Sequence, residues 1–236
     1  MRVELQPAFI LHTRPYRNTS VLVDFLTPEY GRVTAVARGI RSGAKSARQR
    51  RAVFQPFTPL LVGWGGKAEL KSLNHFEGEE AAYFLTGKSL FSALYLNELL
   101  CRLVRQQEEN SQLFALYRLT LKTLQLDQDI DIVLRRFELE LLALLGYGIE
   151  LAVDAETGLA VEVGRDYRFF ADRGFCATAP GVTERSARDL FLGDDLLALS
   201  QGDYTPEVRR SAKRLCRQAL HFHLGGKPLK SRELFG

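Results

Sequence analysis

VLVDFLTPEYGRVTAVA, residues Val21–Ala37, contains two short runs rich in Val, Leu and Phe, Val21–Thr27 and Arg32–Ala37, separated by Thr27-Pro28-Glu29-Tyr30-Gly31. A break of that composition between β-formers reads as a hairpin loop, with Gly31 free to take positive φ. Upstream, Ala8–His12 is a third run of the same kind. Downstream, Pro56 and Pro59 bracket the approach to Leu60–Trp64, and Gly65-Gly66 turns the chain into Glu69–Phe76. Five short strands in the first 80 residues suit a small closed or nearly closed barrel of the OB type. The alternation is imperfect, and an SH3-like barrel stays open on this pattern alone.

Between the third and fourth runs lies RGIRSGAKSARQRR, Arg38–Arg51, with six Lys or Arg in fourteen residues and no acid. It reads as a mobile cationic loop on the barrel, an electrostatic footprint for a polyanion, above all nucleic acid. The bland alternative is a solvated loop that keeps the protein in solution. Charge is unevenly spread: residues 1–78 carry a net +7, residues 79–165 a net −6 and residues 166–236 a net +3, within a total of +4. The barrel therefore concentrates the positive charge. Arg14, Arg17, Arg32, Lys67 and Lys71 join Arg38, Arg41, Lys45, Arg48, Arg50 and Arg51 as DNA-binding candidates, interleaved with Tyr16, Phe25, Phe57 and Trp64. Barrels that bind single strands combine a cationic groove with rings on which bases stack. Phe25 and Phe57 read better as core, whereas Tyr16 and Trp64 remain candidates for stacking.

At 236 residues with 46% hydrophobic content, the chain has enough apolar residues for one large or two modest domains. No apolar run approaches the ~20 residues that span a bilayer, and the amino terminus does not read as a signal peptide. Cys101, Cys176 and Cys216 are odd in number and lack CxxC spacing, which points to a reducing, cytoplasmic setting without disulfides. His12, His75, His221 and His223 do not complete a metal site, and no cofactor is expected.

From about residue 86 the period becomes helical. Leu90, Leu94, Asn97, Cys101 and Val104 mark one helix. Phe114, Tyr117, Leu121 and Leu124 mark a second, with Ser111 as its candidate cap. Val133, Leu134, Phe137, Leu141 and Leu145 mark a third, started by Asp129 or Asp131 and ended by Gly146-Tyr147-Gly148. Short connections predict a bundle. Tyr167–Phe170 and Phe175–Thr178 then form a small hairpin. Two more helices follow, one over Glu184–Leu199 and one begun by Thr205-Pro206-Glu207 and ended at Gly225. The reading is an α+β multidomain chain: an OB-fold barrel over residues 1–80, then a helical domain over 81–236 with a hairpin region near 149–180.

No catalytic constellation stands out: the sequence lacks GxxxxGK[ST], GxGxxG, HExxH and GxSxG. Asp127, Asp129 and Asp131 are better explained by helix capping than by metal, and Asp194-Asp195 by a loop or helix end. Arg135 and Arg136 read first as surface charges. Arg210, Lys213, Arg214 and Arg217 share one helical face, either a second phosphate-binding stripe or a solvated one. The basic ending, residues 225–235, carries apolar residues that suggest docking back on the body.

The segments AFILHTRPY (Ala8–Tyr16), RGIRS (Arg38–Ser42), QPFTPLL (Gln55–Leu61), YLNELL (Tyr95–Leu100), LRRFELELL with LGYG (Leu134–Gly148) and LGGKPLKSRELF (Leu224–Phe235) run in order through the chain. Together they resemble the bacterial RecO family of DNA repair proteins, in its proteobacterial branch. The resemblance implies an OB-fold, a helical second domain and a recombination mediator, not an enzyme. Such a protein binds single- and double-stranded DNA, anneals complementary strands and partners RecR. It also engages the acidic C-terminal tail of single-stranded-DNA-binding protein and thereby helps RecA onto coated DNA. By resemblance, Arg135 becomes the candidate for the tail's terminal carboxylate, with Leu139 and Leu142 as apolar wall. The expected setting is the cytoplasm, on the nucleoid during repair, with no membrane contact. Some family members hold a four-cysteine zinc site after LGYG; residues 149–180 here contain only Cys176, so zinc is not carried over. The rival readings are an adaptor whose basic loop binds an acidic protein and, more remotely, a nuclease with scattered carboxylates.

Overall fold

The computed structural model describes residues 2–67, 69–126, 128–179 and 190–235. Five strands close the amino-terminal barrel: β1 (Arg2–Tyr16), β2 (Ser20–Thr27), β3 (Gly31–Ala37), β4 (Leu60–Gly65) and β5 (Lys71–Gly78), in the order β1-β2-β3-β5-β4. β3 and β5 run parallel and the other pairs antiparallel. This is the OB arrangement, and it removes the SH3-like alternative. β1 is three times the length of its expected core because it serves two neighbours. Arg2, Val3 and Gln6–Ala8 pair with β4, and Phe9–Tyr16 pair with β2. The register shift between Ile10 and His12 bends it around the barrel. β3 alternates strictly, with Val33, Ala35 and Ala37 inward and Arg32, Thr34 and Val36 outward. Val23, Phe25, Leu60, Val62 and Trp64 complete the interior.

The basic segment is not a mobile loop. Lys45–Val53 forms helix α1 between β3 and β4. Lys, Ala, Arg and Gln are good helix formers, and Arg50 and Arg51 in the last turn complement the negative end of the helix dipole. Ala47 and Phe54 are buried, and the Phe54 ring meets Phe25 and Phe76. Those few apolar contacts anchor an otherwise polar helix across the barrel.

The chain divides into two compact units, residues 1–130 with 229–236, and residues 131–228. The expected boundary at 80 lies inside the first unit, because α2 (Gly87–Leu103) and α3 (Ser111–Gln125) pack with the barrel. Asn97 makes the link. Its amide donates to the carbonyls of Ile10 (3.5 Å) and Leu11 (3.0 Å) at the β1 shift, and its oxygen accepts the Tyr117 hydroxyl at 2.5 Å. A bulge leaves backbone groups without ladder partners, and a buried amide is suited to satisfy them. Asn110, not Ser111, caps α3, accepting the Leu113 amide at 2.8 Å. The chain end does dock: Leu229 is buried, and the 3-10 helix Lys230–Phe235 begins on α2. There the Glu98 carboxylate accepts the amides of Lys230 and Ser231 and the Ser231 hydroxyl, at 3.0, 2.8 and 2.7 Å.

The second unit begins with α4 (Ile130–Leu144), which ends as expected: Gly146 takes φ +83, and the Tyr147 amide reaches back to the Leu142 carbonyl. The expected hairpin forms as β6 (Asp166–Phe170) and β7 (Gly174–Ala177). It gains a third strand, β8 (Leu190–Leu192), on the other side of β6. The helix expected over Glu184–Leu199 is therefore corrected: residues 190–192 are strand, and α5 covers only Gly193–Ser200. Positions 184–189 lie outside the described residues, as does Asp127. Phe191 is fully buried in the sheet core, which decides strand over helix there. α6 (Pro206–His223) starts at the Thr205 cap as read.

After the LGYG turn, a carboxylate ties the chain together. Asp154 is buried; its oxygens accept the amides of Glu156 (2.9 Å), Thr157 (3.3 Å) and Ala177 (3.3 Å). One thiol and a carboxylate already held by three amides do not fit zinc. Burial opposes ionisation of Asp154, but the three amides outweigh it and hold the carboxyl below its ordinary value. Its contribution is thus complete above about pH 4 and fades as pH falls through the lowered value. Asp154→Ala is expected to cost about 2–3 kcal/mol at neutral pH. Urea midpoints should show that gap shrinking toward about pH 3.

Candidate nucleic-acid interface

The β1–β2 turn, the end of β3 and α1 meet at one rim of the barrel. The Arg41 amide donates to the Thr19 carbonyl at 2.9 Å and its guanidinium to the Arg17 carbonyl at 3.4 Å. The Arg50 guanidinium donates to the Arg38 carbonyl, also at 3.4 Å. Backbone acceptors thus hold two guanidiniums, those of Arg41 and Arg50, beside Arg17 and Arg38, whose carbonyls accept them, and leave the charge uncancelled. Among the described residues no carboxylate forms an ion pair with Arg17, Arg38, Arg41, Arg48 or Arg50. Arg38, Arg41, Lys45, Arg48 and Arg50 are exposed, and Arg51 is half-buried on α1. Such a rim attracts a phosphate backbone and little else of comparable charge density.

The remaining sequence candidates separate from it. Arg14 and Lys67 are exposed, Arg14 on the outer face of β1 and Lys67 in the β4–β5 turn. Arg32 is turned to internal work: its Nε donates to the Val104 carbonyl at 3.0 Å, and it lies 3.5 Å from the Asp24 carboxylate. Lys71 is buried, so it offers no charge at the surface. Trp64 is 2% exposed and packs edge-on against Tyr30 in the barrel core, which removes it as a stacking platform. Glycine turns follow it in the sequence, but β4 alternation points the indole inward. Phe25 and Phe57 are core, as read.

The outer face of β2 and β3, where OB folds ordinarily bind strands, is partly covered. Residues 104–110, joining α2 to α3, lie across the hairpin. Gln106 bridges to Gly31 and Arg32 and donates to the Thr34 hydroxyl at 3.0 Å, and the Gln107 amide donates to the Arg32 carbonyl at 2.9 Å. Gly31, at φ +54, is required twice over: a Cβ there would overlap the Glu108 carbonyl oxygen. What stays open is a groove of about 500 Å³ lined by His12, Arg14, Asp24, Arg32, Thr34 and Gln106, among others. It mixes both signs of charge. Cys101 lines it too, and burial with the Asp24 carboxylate pushes its thiol up to about 12, so it offers no thiolate.

In the second unit, the residues assigned to a partner tail are inside. Arg135 is 6% exposed, and its guanidinium donates to Glu138 at 2.8 Å. Leu142 is fully buried, and Leu139 packs on the core that contains Tyr167, Phe175 and Leu215. The arginine that reaches solvent is its neighbour. Arg136 is exposed and lies over the Tyr204 ring at 5.3 Å, and the Arg209 Nε donates to the Tyr204 carbonyl at 2.8 Å. Sequence spacing placed both arginines on α4 and had no means of telling the inward from the outward one; Tyr204 and Arg209 come from 70 residues further on. Half of the α6 stripe is paired with carboxylates, and Arg217 is exposed. Arg210 pairs with Glu207, Lys213 with Asp131 in the first turn of α4, and Arg214 lies on Phe191. Asp194 and Asp195 occupy the first turn of α5, as capping chemistry expects.

Comparison with known proteins covers the whole chain. The family model described as Recombination protein O N terminal matches residues 1–81, and that described as Recombination protein O C terminal matches residues 85–233. The chain is 43% identical over 236 residues to the DNA repair protein RecO of Cellvibrio japonicus, covering 100% of this chain and 98% of that protein. The same protein of Psychromonas ingrahamii is 43% identical, with 100% and 99% covered. That of Haemophilus influenzae strain Rd is 42% identical, with 100% and 97% covered.

Proposed function

The chain belongs to the RecO family of DNA repair proteins, and on that premise we propose that it is a recombination mediator without catalytic activity of its own. It binds single- and double-stranded DNA, anneals complementary strands, and with RecR helps RecA onto DNA coated by single-stranded-DNA-binding protein. The observation that carries the DNA-binding reading is the rim of Arg17, Arg38, Arg41 and Arg50, in which the Arg41 and Arg50 guanidiniums donate to the Arg17 and Arg38 carbonyls and no carboxylate among the described residues pairs with the four. Phosphates neutralise it and release counterions, so affinity falls steeply with salt and shows little sequence preference. Two strands held at one screened surface meet with less repulsion, which favours annealing.

The acidic tail of the coating protein docks on the second unit. Arg136 and Arg209 around Tyr204 support that assignment, with Leu139 packed on the same core as Tyr204, because a guanidinium is suited to a terminal carboxylate. Arg136→Ala is expected to weaken tail-peptide binding by about tenfold and to leave naked-DNA affinity unchanged; peptide and oligonucleotide anisotropy on the same variant check this.

Fluorescence anisotropy of a labelled oligothymidine across a salt series, with and without an acidic tail peptide, tests the whole. Salt-sensitive binding that survives saturating peptide is the expected result. Absence of DNA binding at low salt, with peptide still bound, would leave an adaptor of acidic proteins as the better account.

A further inference from the structure

Two rings beside the arginine rim each carry a guanidinium over one face. Arg17 lies over Tyr16 at 5.3 Å, and Arg50 lies over Phe76 at 4.8 Å. Trp64, Phe25 and Phe54 are in the barrel core, and Phe57 is buried. The face on which a strand would ordinarily lay its bases carries residues 104–110, fixed there by Gln106, Gln107 and the close approach at Gly31. Among the described residues, the rings beside the rim thus already hold a guanidinium, and the neighbouring sheet face is partly filled by the chain itself.

We propose that this rim holds nucleic acid through its phosphates alone, leaving the bases directed away from the protein and free to pair. The inference rests on the DNA-binding reading above and gives annealing a geometric basis. A protein that stacks bases on its own rings must release them before a complement can pair, whereas a rim that grips only the backbone presents them at once. It also accounts for one surface serving single and double strands, since a duplex offers the same phosphates with its bases already turned inward.

The test compares oligothymidine with an abasic strand of equal length and phosphate number. Equal affinity within about twofold and the same salt slope are expected. Arg17→Ala and Arg38→Ala should weaken both strands alike. Base stacking ordinarily contributes at least about fivefold per base, so an abasic strand bound that much more weakly would overturn the proposal while leaving DNA binding intact. The chain's single tryptophan supplies a second readout: Trp64 emission should not change on binding oligothymidine, and quenching with a spectral shift would contradict the proposal. Thymines in the complex should keep their reactivity to permanganate; protection of the bases would equally sink it. If neither strand binds at low salt, the DNA-binding reading itself falls, and this one with it.

Discussion

Replacing Arg17, Arg38 and Arg41 together with Ala is expected to weaken oligonucleotide binding by one to two orders of magnitude at about 0.1 M salt. All three side chains are exposed, so the loss is not a folding defect. Each phosphate contact removed lowers the slope of log affinity against log salt by about 0.7 for a single strand, so the slope should fall by about 2. Thermal melting should be unchanged, because surface substitutions of this kind stay within about 0.5 kcal/mol. The contrast is Arg32→Ala. It removes a guanidinium tied to the Val104 carbonyl and to Asp24, so it should lower the melting temperature more than it lowers affinity. Loss of affinity with an unchanged salt slope in the triple variant would mean that these arginines do not meet phosphates.

Arg135→Ala is expected to cost about 3–5 kcal/mol of stability in the second unit. The guanidinium faces a Glu138 side chain with 1% exposure, deep between α4 and α6. Removing one member of a buried ion pair leaves charge where water cannot reach it. Urea denaturation followed by circular dichroism measures the shift. Arg136→Ala should leave the midpoint within about 0.5 kcal/mol. The double variant Arg135→Met/Glu138→Leu should recover most of the loss, since apolar side chains of similar size replace buried pairs well. If Arg135→Ala melted like the parent chain and lost only tail binding, the pair would be a recognition element after all.

Hydrophobic patterning located the barrel because β3 alternates in all but Val36 and the hairpin carries its own turn signal. It located α2, α3 and α4 because each has an apolar stripe long enough to show its period. It failed on α1, where only Ala47, Val53 and the capping Phe54 turn toward the barrel and four cations mask the helix former beneath. It failed again at residues 190–192, where Leu190, Phe191 and Leu192 suit either a buried helix or a strand; the edge of β6 settled the matter. The arginine rim was half legible. Its charge was plain in RGIRSGAKSARQRR, but Arg17 joined it only through the turn that brings Thr19 beside Arg41.

Charge density, hydrophobic period and capping residues are local quantities, and a chain displays them before it folds. They specified a small five-stranded barrel, most of the helices after it and a cationic surface, and the ordered motifs pointed to the family; the strand order alone made the barrel an OB fold. Burial is a property of the packed state. Whether Trp64 faces water, whether Arg135 or Arg136 reaches solvent, and whether residues 104–110 cover the β2–β3 face depend on partners far along the chain. Two adjacent arginines are equivalent in composition and opposite in environment, because a helix turns by about 100° per residue. Only the tertiary packing says which side is the inside.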